Sequence, residues 1–269
     1  MNPADGSDLR LAIRLFLDGL ELSSEMFESA LKIIPSDIKG LLAYGSRARG
    51  DALEGSDLDL LALVADRQRT RNLGNVSLSF YTTKQLTGGI GSLFGAHLRR
   101  DAKIVYDPMG DLARLLDCFT EVDAPRLMKR VREFSVVFGA LDQDLPKYLP
   151  GLLREARYLL RSALYARAIQ EDNECFSVRE LAKRYSDPKL STLLSSRPSS
   201  DATEEELMDC LSRLTRIVGE LPANAHGSLE SLIVNEWSTD SETVALAMLA
   251  LGGTNSSELE YVEVRKVLL

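Results

Sequence analysis

The stretch Leu41–Val64, LLAYGSRARGDALEGSDLDLLALV, decides how this chain is read. Two apolar runs of strand length, 41–44 and 60–64, flank a loop of Gly, Ser and Arg. Asp57 and Asp59 stand at the start of the second run. Residues two apart on a strand share a face, so both carboxylates aim at one spot. Like charges so close are unfavourable unless a cation or donor joins them, and oxygen-only ligands suit Mg²⁺. Gly45-Ser46 follows the first run, where backbone N–H groups and a hydroxyl can cradle a phosphate. Taken singly, each fragment reads as an ordinary turn. Strand, Gly-Ser, ten residues, Asp-x-Asp and strand meet several independent requirements at once. A phosphate cradle facing a carboxylate pair points to a nucleoside triphosphate site.

That order of residues resembles the nucleotidyltransferase superfamily that includes DNA polymerase beta. The GSRARG opening and the ten-residue spacing are most similar to its MNT-type (minimal nucleotidyltransferase) members from bacteria and archaea. The resemblance implies an α+β fold: a polymerase-beta-like core of mixed sheet with flanking helices, followed here by an all-helical domain. It implies that Gly45 and Ser46 bind the triphosphate and that Asp57 and Asp59 hold Mg²⁺; Arg47 and Arg49, beside the motif, are candidates for the positive charges a triphosphate needs. The reaction would move NMP, by family preference AMP from ATP, to an acceptor hydroxyl and release pyrophosphate. An MNT-type protein implies a protein acceptor in a toxin–antitoxin or phage-defence setting. The fused helical domain keeps open a small-molecule acceptor of the aminoglycoside kind.

One departure bears on activity. The family places a third carboxylate on the neighbouring strand, where it completes the metal site that activates the nucleophile. The equivalent strand here is 75–82, NVSLSFYT, and its candidate positions carry Ser77 and Ser79. A serine hydroxyl is a poor Mg²⁺ ligand and no base near neutral pH. Nucleotide binding survives that loss; acceptor activation does not obviously do so. A carboxylate from the helical half is one replacement, and Glu155, among Arg154, Arg157 and Arg161, is the chosen catalytic candidate. The plainer reading makes these charges the exposed face of an amphipathic helix. Asp101 is a weaker alternative. A third possibility is a catalytically weak nucleotide-binding regulator.

The composition narrows the class. A chain of 269 residues with 45% hydrophobic residues can supply real cores for one large or two ordinary domains. No apolar stretch approaches the roughly 20 residues of a membrane span, and the N-terminus lacks a secretory pattern. Cys118, Cys175 and Cys210 are odd in number and far apart, which favours buried free thiols in a reducing cytoplasm over a disulfide framework. The net charge of −8 argues against general nucleic-acid binding. Residues 1–123 carry 14 basic and 18 acidic side chains and residues 124–269 carry 18 and 22, so neither half is a basic module.

Helical spacing covers 9–20 and 24–34, with Pro35 ending the second run. The loop RQRTRN, holding Arg67, Arg69 and Arg71, reads as a solvated connection, and 76–81 as a strand. Thr82 or Thr83 is placed to cap a short helix ending at Gly88-Gly89, and Ser92 to cap SLFGAHLRRD. The run 103–106 closes the strands, and 112–119 is helical. This makes a nucleotidyltransferase domain over 1–123. Beyond it, helices are expected at 126–141, 149–168, 178–184, 204–221, 229–237 and 242–249, with Asp201 or Thr203 as a cap and 257–269 ambiguous. These form a helical domain over 124–269, punctuated by prolines that include Pro146 and Pro150. His97 reads as a packed or hydrogen-bonded structural residue, His226 as a loop residue, and Trp237 and the methionines as core filling. No arginine precedes either histidine at the spacing of a HEPN nuclease.

Overall fold

The computed structural model describes residues 6–20, 22–52, 55–194 and 202–252. The chain divides into two units, Met1–Glu121 and Val122–Leu269. In the first, helices α1 (Gly6–Asp18) and α2 (Ser24–Ile33) precede strand β1 (Gly40–Tyr44). A short helix, α3 (Gly45–Arg49), leads toward β2 (Leu58–Leu63), and β3 (Arg71–Leu73) turns back into β4 (Val76–Tyr81). Then come α4 (Thr83–Thr87), α5 (Leu93–Asp101), β5 (Lys103–Tyr106) and α6 (Asp111–Asp117). The five strands lie in the order β3-β4-β2-β1-β5. The β2–β4 pair is parallel and the others antiparallel, so the sheet is mixed.

Burial on both faces explains why β1 and β2 read as nearly continuous apolar runs. On one face Leu41, Ala43, Leu58, Leu60, Ala62, Leu78 and Phe80 join Leu9, Ile13 and Leu17 of α1 and Met26, Ala30 and Ile33 of α2 in one core. On the other, Leu42, Leu61, Leu63 and Tyr81 are buried too, with Tyr81 stacked on Phe94 of α5 at 5.5 Å. Capping is as the sequence expects: Thr82 forms a capping box with Gln85 at α4, and the Ser92 hydroxyl accepts from the Gly95 amide at α5.

Three local expectations change. The GSRARG segment is not a loop but the helix α3, closed by Gly50 at φ +81°. Strand β2 begins at Leu58 rather than Leu60, which brings Asp59 inside the sheet. Arg71 is exposed, as a solvated stretch predicts, but it starts the strand β3 instead of lying in a connection, and its guanidinium lies 5.0 Å from the centre of the Phe80 ring. A three-residue edge strand holds too few residues to show alternation, so its sequence has no signal of its own.

The second unit is helical throughout its described residues: α7 (Ala124–Phe134), a 3₁₀ turn at Ser135–Phe138, α8 (Leu141–Gln170), α9 (Val178–Arg184), α10 (Lys189–Leu193), α11 (Glu204–Val218), α12 (Leu229–Glu236) and α13 (Ser241–Leu251). Helices α7, α11 and α13 pack on α8, whose Leu152, Ala156, Leu159, Leu160 and Ala163 are fully buried. The helix expected from Leu149 does begin at a break in helical geometry, flanked by Pro146 and Pro150. They sit inside α8, and the kink falls at Tyr148 (φ −125°, ψ 15°), because a proline removes one backbone donor and crowds the preceding turn. Helix α10 is an addition, and α11 stops at Val218, short of Leu221. Thr203 caps α11 through the Glu206 amide; Asp201 and the segment 257–269 lie outside the described residues.

Candidate functional site

The end of β1 lies beside the start of β2, and the start of β2 lies beside the start of β4. Register pairs Tyr44 with Asp59 across the antiparallel ladder and Asp59 with Ser77 across the parallel one. Tyr44, Asp59 and Ser77 therefore share a face at one end of the sheet, where the apolar rows give way to polar residues. Asp57 precedes β2 by one residue and is exposed, while Asp59 is half-buried.

Gly45 brings the two halves of the motif into contact. Its φ of +78° lies in the left-handed region, which glycine enters without steric cost. A Cβ on Gly45 would also fall 2.5 Å from the Asp59 Oδ2. Both the bend of the chain and the approach of the carboxylate thus require glycine here. At the start of α3, backbone N–H groups have no intrahelical acceptor, and Tyr44 provides no side-chain cap for them. Arg47 donates from Nε to the Ser56 carbonyl at 2.9 Å, which ties α3 to the residue before Asp57.

Arg49 faces a different set of partners. Its Nε lies 3.2 Å from Asp51 Oδ1, and one terminal nitrogen lies 3.2 Å from Asp101 Oδ2 and 3.3 Å from His97 Nε2. His97 and Asp101 are one helical turn apart on α5, with His97 Nε2 3.4 Å from Asp101 Oδ2. His97 also meets the Tyr44 ring edge-on. Burial, then the charges of Arg49 and Arg100, push the His97 pKa down to about 3, so the ring is neutral at pH 7. Burial raises the Asp101 pKa against the pull of the same two arginines. The structural reading of His97 is therefore right, and Asp101 is an ion-pair partner of Arg49. A sequence shows that His97 and Asp101 share a helix face; that Arg49 meets them across 48 and 52 residues is a tertiary fact.

Ser77 and Ser79 fall on the face of Asp59, Ser77 half-buried and Ser79 buried. Among the described residues, no group of three or more His, Cys, Asp and Glu side chains is placed to hold a metal ion. The pair Asp57 and Asp59 still fits Mg²⁺ held jointly with substrate phosphates, which needs only one or two protein carboxylates.

Glu155 belongs to the second unit, on α8. It is not on an exposed helix face: it is 3% exposed, and Arg154 donates to its Oε1 at 2.9 Å. Burial raises its pKa, with Arg154 opposing. Nearby, Arg157 pairs with Glu206, and Arg161 donates to the Leu194 carbonyl at 2.5 Å. These arginines reach across to other helices, a use that helical spacing alone does not reveal. His226 lies in a turn, 3.0 Å from Glu236. Trp237 is 61% exposed, and Met109, Met208 and Met248 are also exposed, so the core-filling expectation fails for them. All three cysteines are free, but Cys118 is exposed where a buried thiol was expected.

Residues 24–105 match the family model of the nucleotidyltransferase domain. The match runs from the first residue of α2 into β5 and includes Gly45, Ser46, Asp57, Asp59 and the β4 serines. The fold agrees with it: a mixed sheet with flanking helices, then a helical unit. Among solved structures, one match is a nucleotidyltransferase-like protein from Exiguobacterium sibiricum 255-15. Its identity is 14%, covering 86% of this chain and 81% of that one, with a TM-score of 0.31. A similarity of that size fixes no detail of this chain. No curated protein matches it. Among the described residues, no helix is long and apolar enough to cross a membrane.

Proposed function

We propose that this chain is an Mg²⁺-dependent nucleotidyltransferase of the MNT type, moving AMP from ATP to a hydroxyl of a protein acceptor in the cytoplasm. The observation that carries the reading is the contact of Gly45 with Asp59: the glycine turn and the carboxylate strand converge on one spot. Gly45 and Ser46 hold the triphosphate with Arg47 and Arg49, and Asp57 and Asp59 hold the ion. When bound, Mg²⁺ supplies neutralisation of charge on the triphosphate and on departing pyrophosphate. Glu155, carried by the second unit, is the proposed general base, since a carboxylate is the kind of group that can take the acceptor's proton. The protein acceptor and the toxin–antitoxin or phage-defence setting rest on the MNT resemblance. An aminoglycoside-type small molecule is the alternative acceptor.

A second reading has its own support. Ser77 stands in register beside Asp59 where the family carries an acid, which favours a nucleotide-binding regulator with little turnover. Incubation with Mg²⁺ and each α-labelled NTP, with lysate protein or with aminoglycosides, separates the readings. Label on protein supports the first, label on a drug the alternative, and calorimetric binding without transfer the regulator. A double D57A/D59A variant that kept nucleotide binding would refute the site. Glu155→Gln should stop transfer and spare binding; undiminished transfer would leave Glu155 only as the buried partner of Arg154.

A further inference from the structure

Arg49 lies at the C-terminal end of α3, four residues after Gly45, with its side chain only 17% exposed. Three groups surround its guanidinium. Asp51 comes from the segment just after α3, while His97 and Asp101 come from α5. The Asp101 side chain is 5% exposed and also lies 3.6 Å from Arg100 Nε. A buried carboxylate is costly unless paired, and a guanidinium between two carboxylates and a ring nitrogen loses most of its freedom. The short helix that carries the glycine turn is thereby tethered to the longer α5, whose Leu93, Ala96 and Leu98 are buried.

We propose that Asp101, assisted by His97, is a positioning residue for triphosphate binding, acting through Arg49 on the Gly45-Ser46 turn. Asp101 touches no substrate atom; it sets where Arg49 and the turn stand. This rests on the proposed nucleotide site. Removing the charge leaves Arg49, among the described residues, with Asp51 and His97, and the turn gains freedom that binding must remove again.

The test compares wild type, Asp101→Asn, Arg49→Met and the double variant. Calorimetry measures Mg²⁺-ATP and AMP binding, and hydrogen exchange follows residues 45–51 in nucleotide-free protein. Partners that orient a ligand-binding group typically contribute about 10-fold or more, so Asp101→Asn should weaken ATP about 10-fold and leave AMP unchanged. The double variant should match Arg49→Met, since both changes break one tether. Exchange at 45–51 should quicken in Asp101→Asn. Equal loss of ATP and AMP would indicate a merely structural role and overturn the proposal, as would additive effects or unchanged exchange. Wild-type protein that binds no nucleotide would instead overturn the reading of the site, whatever the exchange shows.

Discussion

Replacing Gly45 by alanine separates backbone strain from displacement of the Asp59 carboxylate, because Gly50 is a matched control five residues away. Both glycines have left-handed backbones, at φ +78° and +81°. An L-residue there costs roughly 1–2 kcal/mol, so both variants should lose similar stability in denaturant titrations. The surroundings differ. A Cβ on Gly50 meets nothing within 4 Å, whereas one on Gly45 lies 2.5 Å from Asp59 Oδ2 and 3.4 Å from its Cγ. Van der Waals contact requires the carboxylate to withdraw by about 1 Å, and a shift of that size in a reacting geometry costs on the order of 100-fold. Gly45→Ala should therefore lose about 100-fold in Mg²⁺-nucleotide affinity or transfer, with Gly50→Ala close to wild type. Calorimetry and labelled transfer read this, and denaturation midpoints give the common strain. Equal binding by the two variants would refute the claim that the glycine turn and Asp59 form one site.

Three further outcomes follow from the same geometry. Ser77→Asp sets a carboxylate beside Asp59 on a strand about 4.8 Å away; it should destabilise the metal-free protein and make Mg²⁺ raise the melting temperature more than in wild type. No added response to Mg²⁺ would mean that the two side chains do not share a cation. His97 titrates near 3 in the fold and near 6.5 when unfolded, so the unfolded chain binds the extra proton between those values. Its stabilisation is full above 6.5 and is lost as pH falls, by at most about 1.4 kcal/mol per unit. The His97→Gln variant should show a flatter stability–pH curve in that window, and parallel curves would exclude His97 as the cause. In the helical unit, a Cβ on Gly151 would sit 1.9 Å from the Ala250 carbonyl oxygen, so Gly151→Ala should cost about 1–3 kcal/mol in denaturant unfolding. An unchanged midpoint would show that α13 does not dock on α8 at that point.

What was legible in the sequence came from periodicity and punctuation. The apolar runs around 41–44 and 60–64 mark strands because burial on both faces leaves no polar register, and Thr82, Ser92 and Thr203 mark helix starts because their oxygens satisfy orphan amides. The spacing of Gly45-Ser46 and Asp57-x-Asp59 located the candidate site. The lack of an acid on the partner strand was legible too, since alternation puts Ser77 and Ser79 on one face, while the pairing of β2 with β4 decides that it is the face of Asp59.

The tertiary structure decided how those residues meet. Asp59 lies against the Gly45 backbone, and Arg49 is held by His97 and Asp101. Glu155 is buried against Arg154, its arginine neighbours are partly buried and bound to other helices, and α8 breaks at Tyr148 between its two prolines. Local sequence reports what a segment prefers when it is amphipathic or capped. It does not report which distant charge compensates a buried one, because that energy exists only once separate elements have packed and excluded water.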